Sequence, residues 1–311
     1  AQCLVGSEMC IRDRYMIEFK PITLADKSLI TSYTLAYAPQ DCDFAFSNLC
    51  AWHFSNQSSY TVIDNSLVVR FHTEDNRLIY LMPIGKGNLV HIVEQLDKEA
   101  QKEGHPLRLQ GIYPETQEKL EKIFPTLFEY TSYRDFADYV YLRKDLVELK
   151  GKNYQPKRNH VNKFTKEYSY RYTPLTPEML PQCLEFESRW SIEHDYVEQN
   201  GLKDERRALT YAIHHYEELN LTGGAIWVNE EMVAFTFGAP INQNTFDINV
   251  EKANIHIDGA YSIINREFAS HLPEQYTYIN REEDLGVPGL RQSKLSYHPA
   301  ILLEKCIATK K

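Results

Sequence analysis

The chain has 311 residues, which is long for one domain and suits two of ordinary size. Hydrophobic residues make up 43% and charged residues 25%, a composition typical of globular proteins. The net charge of −9 argues against a protein that coats nucleic acid over its whole surface, although a local basic groove is compatible with it. No apolar run reaches the ~18–20 residues that a bilayer-spanning helix needs, so we expect at most peripheral membrane contact.

The first residues differ from the rest of the chain. The segment LVGSEMCIRD resembles a translated sequencing-library adapter, so we interpret residues 1–15 as an artefact or tag and take Met16 as the native start. Four cysteines remain beyond this leader, and none has C-x-x-C or zinc-site spacing. Unpaired thiols are typical of a reducing compartment, which favours a cytoplasmic protein without a bound metal.

Residues 16–148 alternate between strand and helix patterns. We predict a strand, a helix ended by Pro39, a hairpin that turns at Asp64-Asn65, and another strand. We then predict a helix stopped by Gly104, a strand, a short helix from Pro114 and a final strand over 136–149.

Residues 174–308 repeat this order. Two helices lead into three strands, then a helix from Gly259, a strand over 276–280 and a last strand over 300–308. The repeated order is similar to that of the GCN5-related N-acyltransferase (GNAT) fold. We therefore predict an α/β (α+β) protein of two tandem GNAT-like domains, each a mostly antiparallel mixed sheet flanked by helices. The predicted boundary lies near Gly151, giving domains over 16–150 and 151–311, with the site in the second.

A basic segment without acids, 149–166, joins the two halves. Such a block is usually a solvated linker. Alternatively, a helix here would place residues four apart on one face, where cations and amides could contact the phosphates of a donor. The candidate phosphate-binding residues are Lys157, Arg158, Asn159, Asn162 and Lys163.

The predicted strand TFDINVEKA alternates polar and apolar residues. We expect Asp247, Asn249 and Glu251 to share one face, towards either a cleft or solvent. The helix that follows begins at Gly259, which keeps only a fragment of the glycine-rich loop by which CoA-using members hold pyrophosphate on a helix N-terminus. Asp258 adds a negative charge there, which weakens the case for acyl-CoA. Gly259 itself is either part of a substrate site or simply a conformationally permissive glycine.

The segment NREEDLGVPGLRQSKLSYHP concentrates charges around a turn rich in glycine and proline. One interpretation is a salt-bridged knot that fixes the C-terminus, which would contribute little at the surface. The other is a set of charges held rigidly for chemistry.

This segment, together with VEKANIHIDGAYSIINREFA, GKNYQPKRNHVNKF and DFAFSNLCAWHF, resembles the DUF2156 family, which is related to the C-terminal domain of phosphatidylglycerol lysyltransferase. The resemblance implies a doubled acyltransferase fold that takes an aminoacyl group from aminoacyl-tRNA and does not use CoA. In the lysyltransferase the acceptor is a lipid head group. This sequence shows no multi-spanning membrane module, so the acceptor stays open between a lipid head group and another polar molecule.

For such a reaction we predict attack by an amine or hydroxyl on an ester carbonyl. Glu251 or Asp284 would accept the proton. Lys294, the third catalytic residue, would stabilise the oxyanion or hold the phosphate at the tRNA end, and Arg281 is a second candidate for this role. The candidate substrate-binding residues are Asp247, Asn249, Gly259, Asn280, Arg281, Arg291 and Tyr297. We expect no resident cofactor and no metal. Two alternatives remain open: a CoA-dependent N-acyltransferase acting on a small amine, and a non-catalytic ligand-binding module.

Overall fold

The computed structural model describes residues 17–73, 75–193 and 200–311, so the predicted leader and Met16 lie outside the described residues. Within these ranges no helix combines the length and apolar character needed to cross a bilayer. The described chain forms two mixed sheets with helices packed around them.

The described strands are, in chain order, β1 (Lys20–Pro21), β2 (Ser59–Ile63), β3 (Ser66–His72), β4 (Leu78–Leu81), β5 (Ile84–Gly85), β6 (Arg108–Ile112), β7 (Phe128–Ser132), β8 (Asp138–Leu142), β9 (Tyr170–Pro174), β10 (Thr222–Val228), β11 (Glu231–Pro240), β12 (Thr245–Ala253), β13 (Tyr278–Asn280), β14 (Ile301–Leu303) and β15 (Cys306–Lys310).

The described α-helices are α1 (Lys27–Tyr37), α2 (Phe46–Ala51), α3 (His53–Asn56), α4 (Leu89–Lys102), α5 (Pro114–Ile123), α6 (Arg143–Glu148), α7 (Gln155–Glu167), α8 (Leu180–Glu193), α9 (Asn200–His214), α10 (Ala260–His271) and α11 (Pro288–Leu295).

Both sheets have the same plan. The first has the order β1-β2-β3-β4-β6-β15-β7, with β5 beside β3, and the second has the order β9-β10-β11-β12-β13-β8-β14. Each contains one parallel pair, β4 with β6 and β12 with β13, while its other pairs are antiparallel. The helices α4 and α10 make the crossovers of these parallel pairs, as parallel strands require. The predicted fold class, two mostly antiparallel mixed sheets of GNAT-like order, is confirmed.

The two halves exchange a strand. β8, from the end of the first half, lies between β13 and β14 of the second sheet. β15, from the end of the chain, lies between β6 and β7 of the first sheet. Sheet membership therefore does not follow the predicted boundary near Gly151, and the division into two domains stays a prediction.

Two predicted terminal strands differ from the observed ones. The strand expected over 136–149 is the short β8 followed by α6, whose Leu146 is buried beside Tyr139 and Tyr141. The strand expected over 300–308 is split into β14 and β15, which join different sheets. Sequence alternation alone does not show such a break, because both pieces keep an extended backbone.

The turn residues of two hairpins adopt the backbone conformation that a tight turn requires. Asp64 and Asn65 have φ of 47° and 55°, and Asn229 and Glu230 have φ of 49° and 62°. Two consecutive residues in the left-handed region form the tight turn that suits the twist of antiparallel strands.

A shared hydrophobic core joins the two halves. Phe46 and Leu67 from the first half pack in one cluster with residues of α8, α9 and β11.

The strand exchange predicts that a cut between the halves leaves them joined. A protease site inserted in the exposed loop at 151–153 should be cleaved in the native protein. The two fragments should then co-elute on size exclusion and unfold together in one transition whose midpoint rises with protein concentration, because each sheet contains a strand of the other fragment. Separate elution of folded fragments would contradict the interlocked arrangement.

Candidate active site

The candidate site lies where β12 and β13 separate. The two strands pair only from Thr245–Tyr278 to Asp247–Asn280, and β12 then extends to Ala253 without β13 beside it. Side chains from both strand ends reach across the wedge that opens between them.

A β-bulge in β12 overturns the prediction that Asp247, Asn249 and Glu251 share one face. The register with β11 skips Asn249, which is an extra residue in β12. The bulge shifts the alternation by one residue, so Asp247 and Asn249 contact α2 whereas Glu251 contacts α10. Gly238 lies beside the bulge, where an added Cβ would be 1.8 Å from the carbonyl oxygen of Asp247.

One side of the wedge is acidic, and we call Asn48, Asp247, Asn249 and Glu282 its acidic side. Asn48 of α2 donates from Nδ2 to Asp247 Oδ2 at 3.1 Å and to Glu282 Oε1 at 2.8 Å. Asn249 Nδ2 donates to Asp247 Oδ2 at 2.9 Å. Burial, reinforced by the Glu283 charge, raises the pKa of Glu282 to about 7. Burial and the neighbouring Glu282 raise the pKa of Asp247 well above its usual value.

The opposite side, which we call the arginine side, carries Glu251, Asn265, Arg281, Lys157 and Tyr297. Glu251 accepts from Arg281 Nη2 at 2.7 Å and from Asn265 Nδ2 at 3.1 Å. The Lys157 ammonium lies 3.9 Å from the centre of the Tyr297 ring. Burial and the nearby Arg281 charge lower the pKa of Lys157 to about 8. The structure therefore brings the predicted residues Glu251, Arg281, Tyr297 and Lys157 together.

Four buried polar atoms beside the wedge have no hydrogen-bond partner among the described residues. They are Asp247 Oδ1 and Asn249 Oδ1 on the acidic side, and Asn265 Oδ1 and Arg281 Nη1 on the arginine side. Buried polar groups are nearly always paired. The unpartnered atoms are three acceptors and one cationic donor, which together suit a ligand with a positive group and an acceptor oxygen.

Lys294 holds the backbone around the wedge. Its ammonium is buried and donates to the carbonyl oxygens of Arg281 and Glu283. Burial lowers the pKa of Lys294. Asn280, fully buried, donates to the carbonyl oxygen of Gln40 and to Asp138 Oδ2, both at 2.7 Å. Both residues fix the position of the segment that carries Arg281 and Glu282.

A second buried cluster lies behind the acidic side, and we call it the Lys305 cluster. The Lys305 ammonium lies 2.9 Å from Asp138, 2.6 Å from Glu283, 3.3 Å from Asp41 and 3.4 Å from Asp43. Burial opposes the charge on Lys305, but Asp138 and Asp41 outweigh it and raise the pKa of the ammonium well above its usual value. For Glu283 the Lys305 charge likewise outweighs burial and lowers the pKa.

The Lys305 cluster also contains groups with metal-ligand character. Asp41, Cys42 and Asp138 place three ligand atoms within reach of one another, as do Cys42, Asp43 and Glu283. Lys305 already supplies a positive charge to all four carboxylates of these groups. Burial also raises the pKa of the Cys42 thiol well above its usual value, which disfavours the thiolate that binds metals.

Asp284 and Arg291 form a third group, the Asp284 knot. Asp284 accepts from Arg291 Nε and Nη2 at 2.7 Å, from Arg134 at 3.2 Å and from the Tyr139 hydroxyl at 2.5 Å. The Arg291 hydrogen bonds hold the pKa of Asp284 well below its usual range. This carboxylate is occupied and permanently ionised, a state unsuited to a general base.

The predicted phosphate-binding residues lie on α7. Asn159, Asn162 and Lys163 are exposed, and Lys163 pairs with Asp258 at 2.8 Å. Arg158 donates to the carbonyl oxygens of Leu149 and Gly151, so its guanidinium fixes the preceding loop.

Gly259 is explained by packing. It has φ of 88°, and an added Cβ would lie 2.6 Å from the carbonyl oxygen of His160. His160 of α7 also pairs with Asp258 at 2.9 Å. The close approach of α7 to the start of α10 requires a glycine there.

Sequence reasoning missed several residues of the site. Asn48, Asp138 and Lys305 were not identified, and Glu282 and Glu283 were recognised only as part of a charged run. A signal existed for Asp138, which is the single charge in the apolar run FADYVYL, because buried charges need partners. Lys305 lies beside Glu304 and carries no such signal. No feature of the sequence around Asn48 indicates that this residue contacts Asp247, about two hundred positions away.

Comparison with known proteins identifies the family. The family model described as phosphatidylglycerol lysyltransferase, C-terminal, matches residues 35–309. The chain belongs to this family. The resemblance predicted from the charged motifs is thereby confirmed.

Two solved structures show how widely the fold is shared. A conserved protein of unknown function from Bacteroides thetaiotaomicron VPI-5482 is 49% identical, with 95% of this chain and 100% of that chain covered and a TM-score of 0.93. L-PGS from Bacillus licheniformis is 14% identical, with 96% and 94% covered and a TM-score of 0.65, which shows a common fold. An uncharacterised protein of Mycoplasmoides gallisepticum is 24% identical over 173 residues, and the match spans 54% of this chain and 54% of that protein.

Replacing Lys305 should strongly destabilise the protein. Lys305→Met leaves the surrounding carboxylates without their cation, and we expect a loss of about 3–5 kcal/mol in the free energy of unfolding at neutral pH. The loss should shrink as the pH falls, because the orphaned carboxylates then take up protons. Urea unfolding at several pH values measures both effects. Lys102, whose side chain is 52% exposed and pairs with Glu99, provides the control, since Lys102→Met should cost less than about 1 kcal/mol. Equal losses in the two variants would contradict the role of Lys305.

The adjacent residues Glu282 and Glu283 should give opposite pH dependences. The folded pKa of Glu282 is raised, so the folded state binds its proton more tightly than the unfolded state, and its contribution to stability is lost as pH rises towards 7. Between pH 5 and pH 8 the free energy of unfolding should therefore fall less for Glu282→Gln than for wild type. The difference should be on the order of 2 kcal/mol. The folded pKa of Glu283 is lowered, so Glu283→Gln should be less stable than wild type at pH 7, with a deficit that closes as pH falls. Thermal unfolding from pH 8 down into the acid range below pH 4.5 measures both, because the Glu282 effect lies between pH 5 and 8 and the Glu283 effect lies below the unfolded pKa of 4.5. Slopes of the same sign in these two windows would contradict the assignment.

Proposed function

We propose that this protein transfers an aminoacyl group from aminoacyl-tRNA to a hydroxyl or amine acceptor, either a lipid head group or another polar molecule. The observation that carries the proposal is the set of unpartnered buried atoms in the wedge. An aminoacyl ester carries a positive α-ammonium and, three bonds away, a carbonyl oxygen. These two groups match the acidic side and the free Arg281 Nη1, respectively.

The acidic side supports binding of the ammonium. Asp247 Oδ1 and Asn249 Oδ1 are acceptors without a partner among the described residues, and Glu282 lies within the same hydrogen-bond network. A positive charge placed here would be stabilised by both carboxylates. It would also favour their ionised forms, so binding of the donor should release protons.

The arginine side supports stabilisation of the transition state. Arg281 uses Nη2 to bind Glu251, which leaves Nη1 as a fixed cationic donor. Such a donor, held in place before the reaction, is suited to the oxyanion that forms when an ester carbonyl is attacked. Of the two residues predicted for this role, Lys294 donates to backbone carbonyl oxygens, including that of Arg281, and Arg281 keeps a donor for the oxyanion.

Glu282 is the candidate general base. Its pKa of about 7 suits proton transfer at neutral pH, and its backbone has φ of 57°, an uncommon conformation for glutamate. In the proposed step the acceptor oxygen or nitrogen bonds to the carbonyl carbon and the ester bond to the tRNA ribose breaks. The proton passes from the acceptor to Glu282 and then to the departing ribose hydroxyl.

The start of α10 supports an aminoacyl donor over acyl-CoA. In CoA-using members this helix terminus would receive a pyrophosphate. Here Asp258 sits at the terminus, and α7 packs against Gly259. Lys157, Asn159, Asn162 and Lys163 of α7 remain available as candidate contacts for donor phosphates.

The test compares ligands that differ by a single group. Purified protein is titrated with aminoacyl-tRNA, N-acetylated aminoacyl-tRNA, deacylated tRNA and acetyl-CoA at two salt concentrations. We expect aminoacyl-tRNA to bind at least about tenfold more tightly than the deacylated and N-acetylated forms, because only it carries the ammonium. Asp247→Asn should remove this preference, whereas Asp64→Asn, at an exposed hairpin turn, should retain it.

Equal binding of the three tRNA forms by the wild-type protein would overturn the proposal. Tight acetyl-CoA binding would favour the CoA-dependent alternative instead. Where the preference is present, transfer of a labelled amino acid to candidate acceptors identifies the second substrate, and Glu282→Gln should slow that transfer by about 10²-fold or more.

A further inference from the structure

Lys157 differs from two other lysines of the second half in the contacts of its ammonium group. Lys294 donates to two carbonyl oxygens, and Lys252 pairs with Glu205 at 2.6 Å. Among the described residues the Lys157 ammonium forms no hydrogen bond or ion pair, and it lies 3.9 Å from the centre of the Tyr297 ring. The side chain is only partly exposed, so its ammonium has lost water without gaining a carboxylate in exchange.

The surroundings of Lys157 favour the uncharged amine. Lys157 lies in the first turn of α7, where the helix dipole disfavours a cation. The Arg281 guanidinium lies over the same Tyr297 ring, 5.0 Å from its centre, and the carboxylate of Glu251 is already bound to Arg281. Burial and the Arg281 charge lower the pKa of Lys157 to about 8. A larger share of this lysine than of a solvated one is therefore free amine at neutral pH.

We propose that Lys157 is a self-acylation site, which takes the acyl group of an activated ester bound on the arginine side. A lysine that is desolvated beside another cation is a nucleophile. The unpartnered Arg281 Nη1 lies on the same side, and it would stabilise the oxyanion that forms when the Lys157 amine attacks the ester carbonyl.

The step is an ester aminolysis in which atoms and charge balance. The Lys157 ammonium first releases a proton to water. Its nitrogen then bonds to the carbonyl carbon, the bond from that carbon to the ribose oxygen breaks, and a proton of the amine passes to the departing ribose hydroxyl. The product is an amide on Lys157, which needs no further reactant and is much less reactive than the ester.

Acylation of Lys157 would silence the wedge. An amide carries no charge, so the arginine side would lose one of its two cations, and the acyl group would fill space beside Tyr297. The attack competes with transfer to the acceptor, so it would proceed when the donor is bound and the acceptor is lacking. The inference deepens the proposed function by naming a regulation of the same site, and it rests on that function for the identity of the donor.

Trace acylation tests the site without tRNA. The full chain is treated at pH 7 with a limiting amount of N-hydroxysuccinimidyl acetate, and peptide mass spectrometry measures the acetylated fraction of each lysine. We expect Lys157 to react at least about tenfold faster than the exposed Lys166 of the same helix. The ratio should shrink above pH 8, because Lys157 is then already deprotonated whereas a solvated lysine still gains free amine.

The proposed donor is then tested in the absence of an acceptor. Aminoacyl-tRNA that carries a labelled amino acid should leave a label on Lys157 that survives mild alkali, which hydrolyses esters but not amides. Lys157→Arg keeps the charge and should lose the label, whereas the matched variant Lys166→Arg should keep it. Acylated wild type should bind aminoacyl-tRNA at least about tenfold more weakly than untreated protein.

The outcomes separate this inference from the proposed function. Equal acetylation of Lys157 and Lys166 would overturn the acylation site, whatever the protein does with tRNA. Selective acetylation of Lys157 by a protein without a preference for aminoacyl-tRNA would support the site and overturn the proposed function alone. A protein that prefers aminoacyl-tRNA but leaves Lys157 unlabelled would contradict self-acylation, and so would an acylated protein that binds the donor as well as untreated protein does.

Discussion

The arrangement of the whole molecule depends on the buried ammonium of Lys305. It lies where the chain leaves β14 of the second sheet and enters β15 of the first. Its carboxylate partners come from three other segments: Asp41 and Asp43 before α2, Asp138 at the start of β8, and Glu283 after β13. A buried charge is tolerated only when it is well paired. Lys305 is therefore fully paired only when both exchanged strands and the charged motif are correctly placed.

The geometry of the wedge depends on the same buried contacts. Asn280 binds Asp138, Arg281 binds Glu251, Glu282 binds Asn48, Glu283 binds Lys305 and Asp284 binds Arg291, so each of five consecutive residues contacts a different part of the structure. Neighbouring side chains of a regular strand could not do this, because they would alternate between only two faces. The left-handed backbone at Glu282 and the bulge at Asn249 together direct carboxylates to both sides of the wedge.

The predictable parts of the fold were those specified by neighbouring residues. The turn at Asp64-Asn65, the apolar stripe of α4 and the repeated element order are local patterns, and the structure confirms each. The strand exchange was not predictable, because alternation identifies a strand but not its partner. The same limit explains the error at Asp247, Asn249 and Glu251, since a single extra residue in β12 reverses the face of everything beyond it. Lys305 was overlooked because one lysine in a terminal strand ordinarily lies at the surface.

The charge balance of the wedge bears on its function. The acidic side places Asp247 and Glu282 in one network with Asn48 and Asn249, and the nearby cations Lys294 and Arg281 are already engaged with carbonyl oxygens and with Glu251. Burial raises the pKa of both carboxylates, and charge repulsion adds to it, from Glu282 at Asp247 and from Glu283 at Glu282. A ligand ammonium would relieve that repulsion, whereas a neutral acyl group would not. Under the proposed function, a site of this composition would discriminate between ligands by charge, and deprotonation of Glu282 would be coupled to arrival of the donor. Under the proposed function, the base would then be ionised when the substrate that needs it is in place.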